Sequence, residues 1–168
     1  MNVLRQLTCI VLSLFLFVAC NQSRHIVSDK AKAADQAYLK AHIEKIETLC
    51  TSAKKLVGKP YRLGSSGPKS YDCSGFTAAV FQSIHLSLPR MAFDQAQVGH
   101  TIKLPLIKPG DLLFFGNKKI DHVAMISKVK SGKTYFIHST SSKGVVEQVL
   151  EDSDYWMKRL KLARRVII

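Results

Sequence analysis

Residues 71–81 read YDCSGFTAAVF. A cysteine stands directly before two small residues, and Phe76, Ala79, Val80 and Ile84 then recur on one helical face. That pattern predicts a helix opening at Cys73 and running to about Leu86. A cysteine so placed is open to three readings: nucleophile, metal ligand, or a small buried hydrophobe. The helix start favours the first, because its partial positive charge stabilises a thiolate and its free backbone N–H groups suit an oxyanion.

Working outward, the chain before this segment is helical in texture from Asp29 to Val57, with Ala34, Tyr38, Ala41, Ile43, Ile46, Leu49, Ala53 and Leu56 near a 3.6-residue period. Gly58-Lys59-Pro60 ends it, and the Gly/Ser/Pro-rich YRLGSSGPKSYD reads as a loop. Beyond the cysteine helix, LPR (88–90) restarts the chain and MAFDQAQVG (91–99) reads as a short helix. After the KPGD turn (108–111) the texture changes to strands, expected at 112–115, 122–129, 135–139 and 145–149, with SGK (131–133) as a hairpin turn. A helix over 152–160 and a closing strand over 164–168 follow. Helices first and antiparallel strands afterwards predict an α+β domain.

The strands carry the candidate base. Of six histidines, His25 falls in the polar tether, His42 and His85 on helices and His100 in a loop, whereas His122 and His138 sit in strands among apolar residues. Cys73 as nucleophile, His122 as base and His138 as the group orienting the imidazole form a triad of familiar logic with different residue types. A zinc site built from Cys73, His122, His138 and Asp72 or Asp121 is the rival; it lacks the closely spaced ligand pairs of structural zinc sites. The triad calls for no metal and no cofactor.

The remaining cysteines carry other roles. Cys50 lies in an apolar helical stretch and reads as a buried hydrophobe, although a Cys50–Cys73 bridge would block the proposed chemistry. Residues 1–19, with Arg5 ahead of an apolar run from Leu7 to Ala19, read as a signal peptide too short to span a bilayer. The run ends in FVAC, which resembles the lipobox of bacterial lipoproteins and points to Cys20 as a lipidated residue anchoring an exported chain to a membrane. Residues 20–44 then form a tether and spacer helix, and 45–168 the domain. The formal charge of +13 suits an anionic partner, and export makes a carboxylate-bearing wall peptide a better fit than nucleic acid, for which there is no motif.

Six segments occur in one order: DCSGF (72–76), LPR (88–90), KPGDLLFF (108–115), DHVAMI (121–126), YFIHST (135–140) and YWMKRLKLARRV (155–166). Together they resemble the NlpC-type cysteine peptidases of bacterial cell walls, especially the small murein endopeptidase lipoproteins, over roughly residues 45–168. The resemblance implies a reduced papain-like α+β fold, with the cysteine on a helix packed against a small antiparallel sheet. It implies hydrolysis of amide bonds in peptidoglycan stem peptides through an acyl-enzyme, with Cys73 as nucleophile, His122 as general base and His138 as third polar residue. Tyr61, in PYRLG, matches a tyrosine that helps form the oxyanion site. Asp72 and Ser74 match residues near the end of the stem peptide, and both are also good helix caps. Ser65 and Ala124 depart from common glycines. The competing expectations are a wall-binding lipoprotein without turnover and an amidase or acyltransferase acting on another amide. Which stem-peptide bond is cut does not follow from the sequence.

Overall fold

The structure, a computed structural model, describes residues 30–167. The expected signal peptide, the expected lipidation site at Cys20, the expected polar tether and the expected helix start at Asp29 lie outside the described residues. The chain divides into two units with the boundary between Ile43 and Glu44. Helix α1 covers residues 30–55. Its part in the second unit turns Leu49 and Ala53 into the core with no exposure.

The second unit is built on LLFF. Four consecutive apolar residues cannot alternate inside and outside, so a strand made of them needs cover on both faces. Strand β2 (Leu112–Gly116) has that cover, every residue in it being buried. Leu112 and Phe114 join the core formed with Leu49, Phe76, Val80 and Phe81 from α1 and α2 (Cys73–Gln82). Leu113 and Phe115 face the other way, into a second cluster with Ala124, Ile126 and Phe136 that Trp156 and Leu160 cover. Full burial of each of these phenylalanines contributes about 1.5–3 kcal/mol.

The chain continues as α3 (Ala92–Gln95), β1 (His100–Ile102), a 3₁₀ turn (Leu104–Leu106), β2, β3 (Ile120–Lys130), β4 (Lys133–Thr140), β5 (Gly144–Val149), α4 (Asp154–Arg159) and β6 (Leu160–Arg165). Six strands form one antiparallel sheet in the order β1-β6-β2-β3-β4-β5. The KPGD turn is fastened by Asp111, whose carboxylate accepts from Lys108 N at 2.8 Å and from both Nε and Nη2 of Arg165 on β6 at 2.8 Å.

Several boundaries differ from expectation for identifiable reasons. Helix α2 stops at Gln82 rather than near Leu86, and His85 is not helical. It holds the left-handed position (φ 58°) of a C-terminal lock in which Leu86 N donates to Phe81 O and His85 N to Gln82 O. Glycine ordinarily fills that place, so the stop has no glycine signal in the sequence. His100 opens β1 instead of lying in a loop; that strand is three residues long and pairs with residues 163–165, a partner no local pattern reveals. Strand β6 begins at Leu160, four residues earlier than expected, because α4 ends at Arg159 and LKLARR pairs with β2. The strands β2 to β5 and the Ser131-Gly132 turn lie where the sequence places them.

Candidate active site

Cys73 is the first residue of α2, and Asp72 is the N-cap. The Asp72 carboxylate accepts from Gly75 N at 2.7 Å and from Gly64 N at 2.8 Å, tying the helix start to the preceding loop. Gly75 is required there, because a Cβ would overlap the Ser65 carbonyl oxygen, which itself accepts from Asp72 N. Ser65, the departure in that loop, uses its hydroxyl to bind Ser70 O at 2.7 Å. Arg90, from LPR, donates Nη1 to Asp72 Oδ1 at 3.1 Å and to Ser74 Oγ at 3.0 Å, and Nη2 to Asp72 Oδ2. Asp72 is therefore a cap and an ion-pair partner together, and Arg90 with the backbone N–H groups holds its carboxyl below the usual carboxylate range against the pull of burial.

The helix start does not depress the thiol as expected. Burial pushes the Cys73 thiol up, the N–H groups of Val123, Ser74 and Cys73 itself oppose the rise, and the Asp72 charge adds to it. The physical reason is that desolvation of the buried sulfur, helped by the nearby Asp72 charge, outweighs the N–H groups that favour a thiolate. Cys73 and Cys50 are both free thiols, so the alternative disulfide does not form.

The imidazoles lie at the end of the sheet. β3 pairs with β2 so that Phe115 faces His122 and Gly116 faces Ile120, leaving Asp121 as an extra residue in a bulge. Bulges re-aim the residues beside them. His122 then stacks on Trp156 of α4 (centroids 4.8 Å apart, 26° between planes) and meets His138 of β4 edge-on at 5.1 Å. Trp156 is set by the cap of its helix, where Ser153 Oγ accepts from Trp156 N at 3.4 Å.

Hydrogen bonds then order the protons. Trp156 Nε1, a donor only, approaches Gln148 Oε1 at 3.1 Å, which settles which end of that amide is the oxygen. The same oxygen lies 2.7 Å from His138 Nε2, so that nitrogen carries a proton. Neutral His138 has a bare Nδ1, and it stands 2.9 Å from His122 Nε2, which must therefore be the protonated nitrogen of its own ring. His122 Nδ1 is left as a free lone pair. Neutrality is enforced: burial, then His138, then Arg159 lower His122 to about 3, while burial lowers His138 to about 4 against the opposing hydrogen bond to Gln148.

Cys73, His122 and Tyr61 line one cavity of about 450 Å³, together with Gln148, Trp156 and Arg159. A second, of about 750 Å³, meets it at Tyr61, Cys73 and Asp121 and is lined also by Asp72, Ser74 and Arg90. Burial, then the neighbouring Cys73 and Asp72, raise the Tyr61 phenol. Among the described residues no hydrogen bond joins Cys73 to His122; they share the cavity wall. The structure thus brings together Tyr61, Asp72, Cys73, Ser74, His122 and His138. Sequence reasoning did not single out Arg90, Gln148, Trp156 or Arg159 as site residues. Arg90, Trp156 and Arg159 lie in quoted motifs, whereas Gln148 is an ordinary strand residue with no local signal.

The pattern of the NlpC/P60 family matches residues 58–165 of this chain. The chain belongs to the NlpC/P60 family. It is 35% identical over 122 residues to the gamma-DL-glutamyl hydrolase of Bacillus subtilis, covering 71% of this chain and 30% of that protein. It is 35% identical over 112 residues to the murein DD-endopeptidase MepS/murein LD-carboxypeptidase of Escherichia coli, covering 66% of this chain and 57% of that one. The crystal structure of an NlpC/P60 family protein from Bacillus cereus superposes with a TM-score of 0.66 at 26% identity, over 73% of this chain and 40% of that one. The chain thus spans less than two thirds of the length of each of these relatives. The NlpC/P60 domain here has the expected reduced papain-like α+β fold, with Cys73 at a helix N-terminus against an antiparallel sheet.

Proposed function

We propose that this protein is a peptidoglycan endopeptidase that hydrolyses amide bonds of stem peptides or their cross-links through a Cys73–His122–His138 acyl-enzyme. The observation that carries the reading is the ordered chain Trp156–Gln148–His138–His122, which leaves one bare nitrogen in a cavity shared with Cys73. Family membership and the murein- and glutamyl-hydrolysing names of relatives support the substrate class.

His122 Nδ1 takes the thiol proton as sulfur attacks the amide carbonyl carbon. The carbonyl electron pair moves to oxygen, where N–H groups at the start of α2 and the Tyr61 hydroxyl stabilise it. Collapse breaks the C–N bond, and the proton on His122 Nδ1 passes to the leaving nitrogen. Water then cleaves the thioester, giving a carboxylic acid and restoring the thiol. Starting from thiol and neutral imidazole, the enzyme creates charge only during reaction. His138, with both nitrogens engaged, holds the ring of His122 and its tautomer.

Residues 45–168 form the peptidase domain in this reading. Residues 1–19 direct export, and a lipid on Cys20 with the spacer at 20–44 holds the domain at a membrane facing the wall. Among the described residues no helix is long and apolar enough to cross a membrane. The test is mass spectrometry of stem peptides and cross-linked muropeptides after incubation with the protein beside Cys73→Ala. A fragment that vanishes in the variant supports the reading, and its mass names the bond; intact substrates in both samples overturn it.

A further inference from the structure

An amide attacked by Cys73 must lie with its acyl half on one side of the sulfur and its amine half on the other. Two cavities leave Cys73 in this way, and His122 lines only the smaller. The imidazole that receives the thiol proton must return it to the leaving nitrogen. The leaving amine therefore belongs in the cavity of His122, and the acyl half in that of Asp72 and Arg90.

The two cavities differ in net charge. In the larger, Arg90 and Lys119 are matched by Asp72 and Asp121; Arg90 is consumed by Asp72 and Ser74, and beside that pair stand Leu63, Met91 and Phe93, all exposed. In the smaller cavity the charged residues are Asp121, Lys143 and Arg159, one positive charge in excess. Asp121 engages a single nitrogen of Arg159, both carboxylate oxygens lying 2.8 and 2.9 Å from Nη2. The guanidinium lies 5.1 Å from the Tyr155 ring centre, so it is held on two sides. Its Nε is buried and, among the described residues, has no hydrogen-bond partner. Lys143, exposed in the turn between β4 and β5, takes part in no ion pair found among the described residues. A fixed, incompletely used guanidinium with an exposed ammonium in the same cavity suits a carboxylate.

We propose that this cavity is a leaving-group subsite that selects amine halves bearing a free carboxylate, with Arg159 as the fixed reader and Lys143 as the second cation. The inference rests on the peptidase reading and adds a substrate preference to it. It also couples binding to chemistry, since Arg159 is one of the groups that disfavour a proton on His122. A carboxylate seated beside it offsets that effect as the imidazolium forms.

The experiment takes the stem-peptide bond cut in the assay above and prepares that substrate in two forms. The amine-side residue carries either a free carboxylate or the corresponding primary carboxamide. Wild-type protein is expected to favour the free acid by roughly tenfold in kcat/KM, as befits hydrogen bonds to a charged group, and the preference should shrink in high salt. In Arg159→Gln the ratio of the two rates should fall to near one, whatever the absolute rates. If that variant does not fold, Lys143→Gln, at an exposed position, should still lower the ratio two- to threefold. Equal rates on both forms in the wild type, or an undiminished ratio in the variants, overturn the subsite while leaving the peptidase reading in place. Failure of the wild type to cut either form overturns both.

Discussion

Cys50 and Cys73 are both partly buried free thiols on helices, and burial pushes both thiols up. Thiol acidity therefore does not separate them. Cys50 lies within α1, with its sulfur directed at Ser127 O at 3.6 Å and Lys54 and Glu147 as its charged neighbours. Cys73 stands at the start of α2 where two cavities meet, with an imidazole lone pair in one of them. In the proposed mechanism, what sets Cys73 apart from a piece of core is a base in the same cavity, an open approach and N–H groups for the oxyanion, brought together from segments remote in sequence.

The largest effect should come from exchanging the two residues for alanine. Cys73→Ala is expected to lower hydrolysis by about a thousandfold or more while the circular dichroism stays native, as removal of a nucleophile does. Cys50→Ala should leave kcat/KM within about twofold. Comparable losses in both would erase the distinction.

Next is the proton chain. Gln148→Leu strands the N–H groups of His138 and Trp156 and frees the tautomer, so kcat should fall about a hundredfold with KM little changed. Gln148→Glu should instead raise the His138 titration seen by NMR, because a carboxylate favours the imidazolium. An unshifted His138 would show that the Gln148 contact does not set its protonation.

Alkylation by iodoacetamide sharpens the comparison further. Both thiols sit above their ordinary range, so modification of each should climb steadily with pH between 5 and 9, with Cys73 faster at pH 7 by roughly tenfold through access. A plateau for Cys73 with an acidic midpoint would mean a preformed thiolate–imidazolium pair.

A smaller effect concerns stability against pH. His122 and His138 titrate near 6.5 in the unfolded chain, but the fold lowers them to about 3 and about 4. Between these values the unfolded state binds protons that the folded state refuses. Their contribution is fully present above pH 6.5 and declines as pH falls toward 4, so the urea midpoint at pH 5 should lie below that at pH 7.5. An unchanged midpoint would mean that the buried pair accepts protons in place. The smallest expected change is in Cys50→Ala, about 1 kcal/mol of stability by thermal unfolding, from lost packing.

Much of the fold was legible because it rests on local patterns. LLFF reads as a strand, and β2 to β5 alternate or run apolar between clear turns. Boundaries failed where a non-glycine took a glycine position, as at His85, or where a strand depends on a distant partner, as at His100. Cys73, His122 and His138 stood out by residue type and surroundings. Gln148 could not, because an exposed-looking strand glutamine acquires meaning only when Trp156 and His138 close on its oxygen.

The sequence by itself determined which chemistry-bearing residues are present, the helix that opens at Cys73, and the α+β order of elements, since these follow from spacing and side-chain type. The tertiary structure alone decided the ionisation of the site. Burial of the Cys73 sulfur, with the Asp72 charge beside it, outweighs the N–H groups that acidify the thiol. Burial beneath Trp156 keeps both imidazoles neutral, and the bulge at Asp121 accompanies the presentation of His122 to the cavity. Charge state depends on desolvation and on neighbours within a few ångströms, and those come from β3, β4, β5 and α4 only once the sheet has closed.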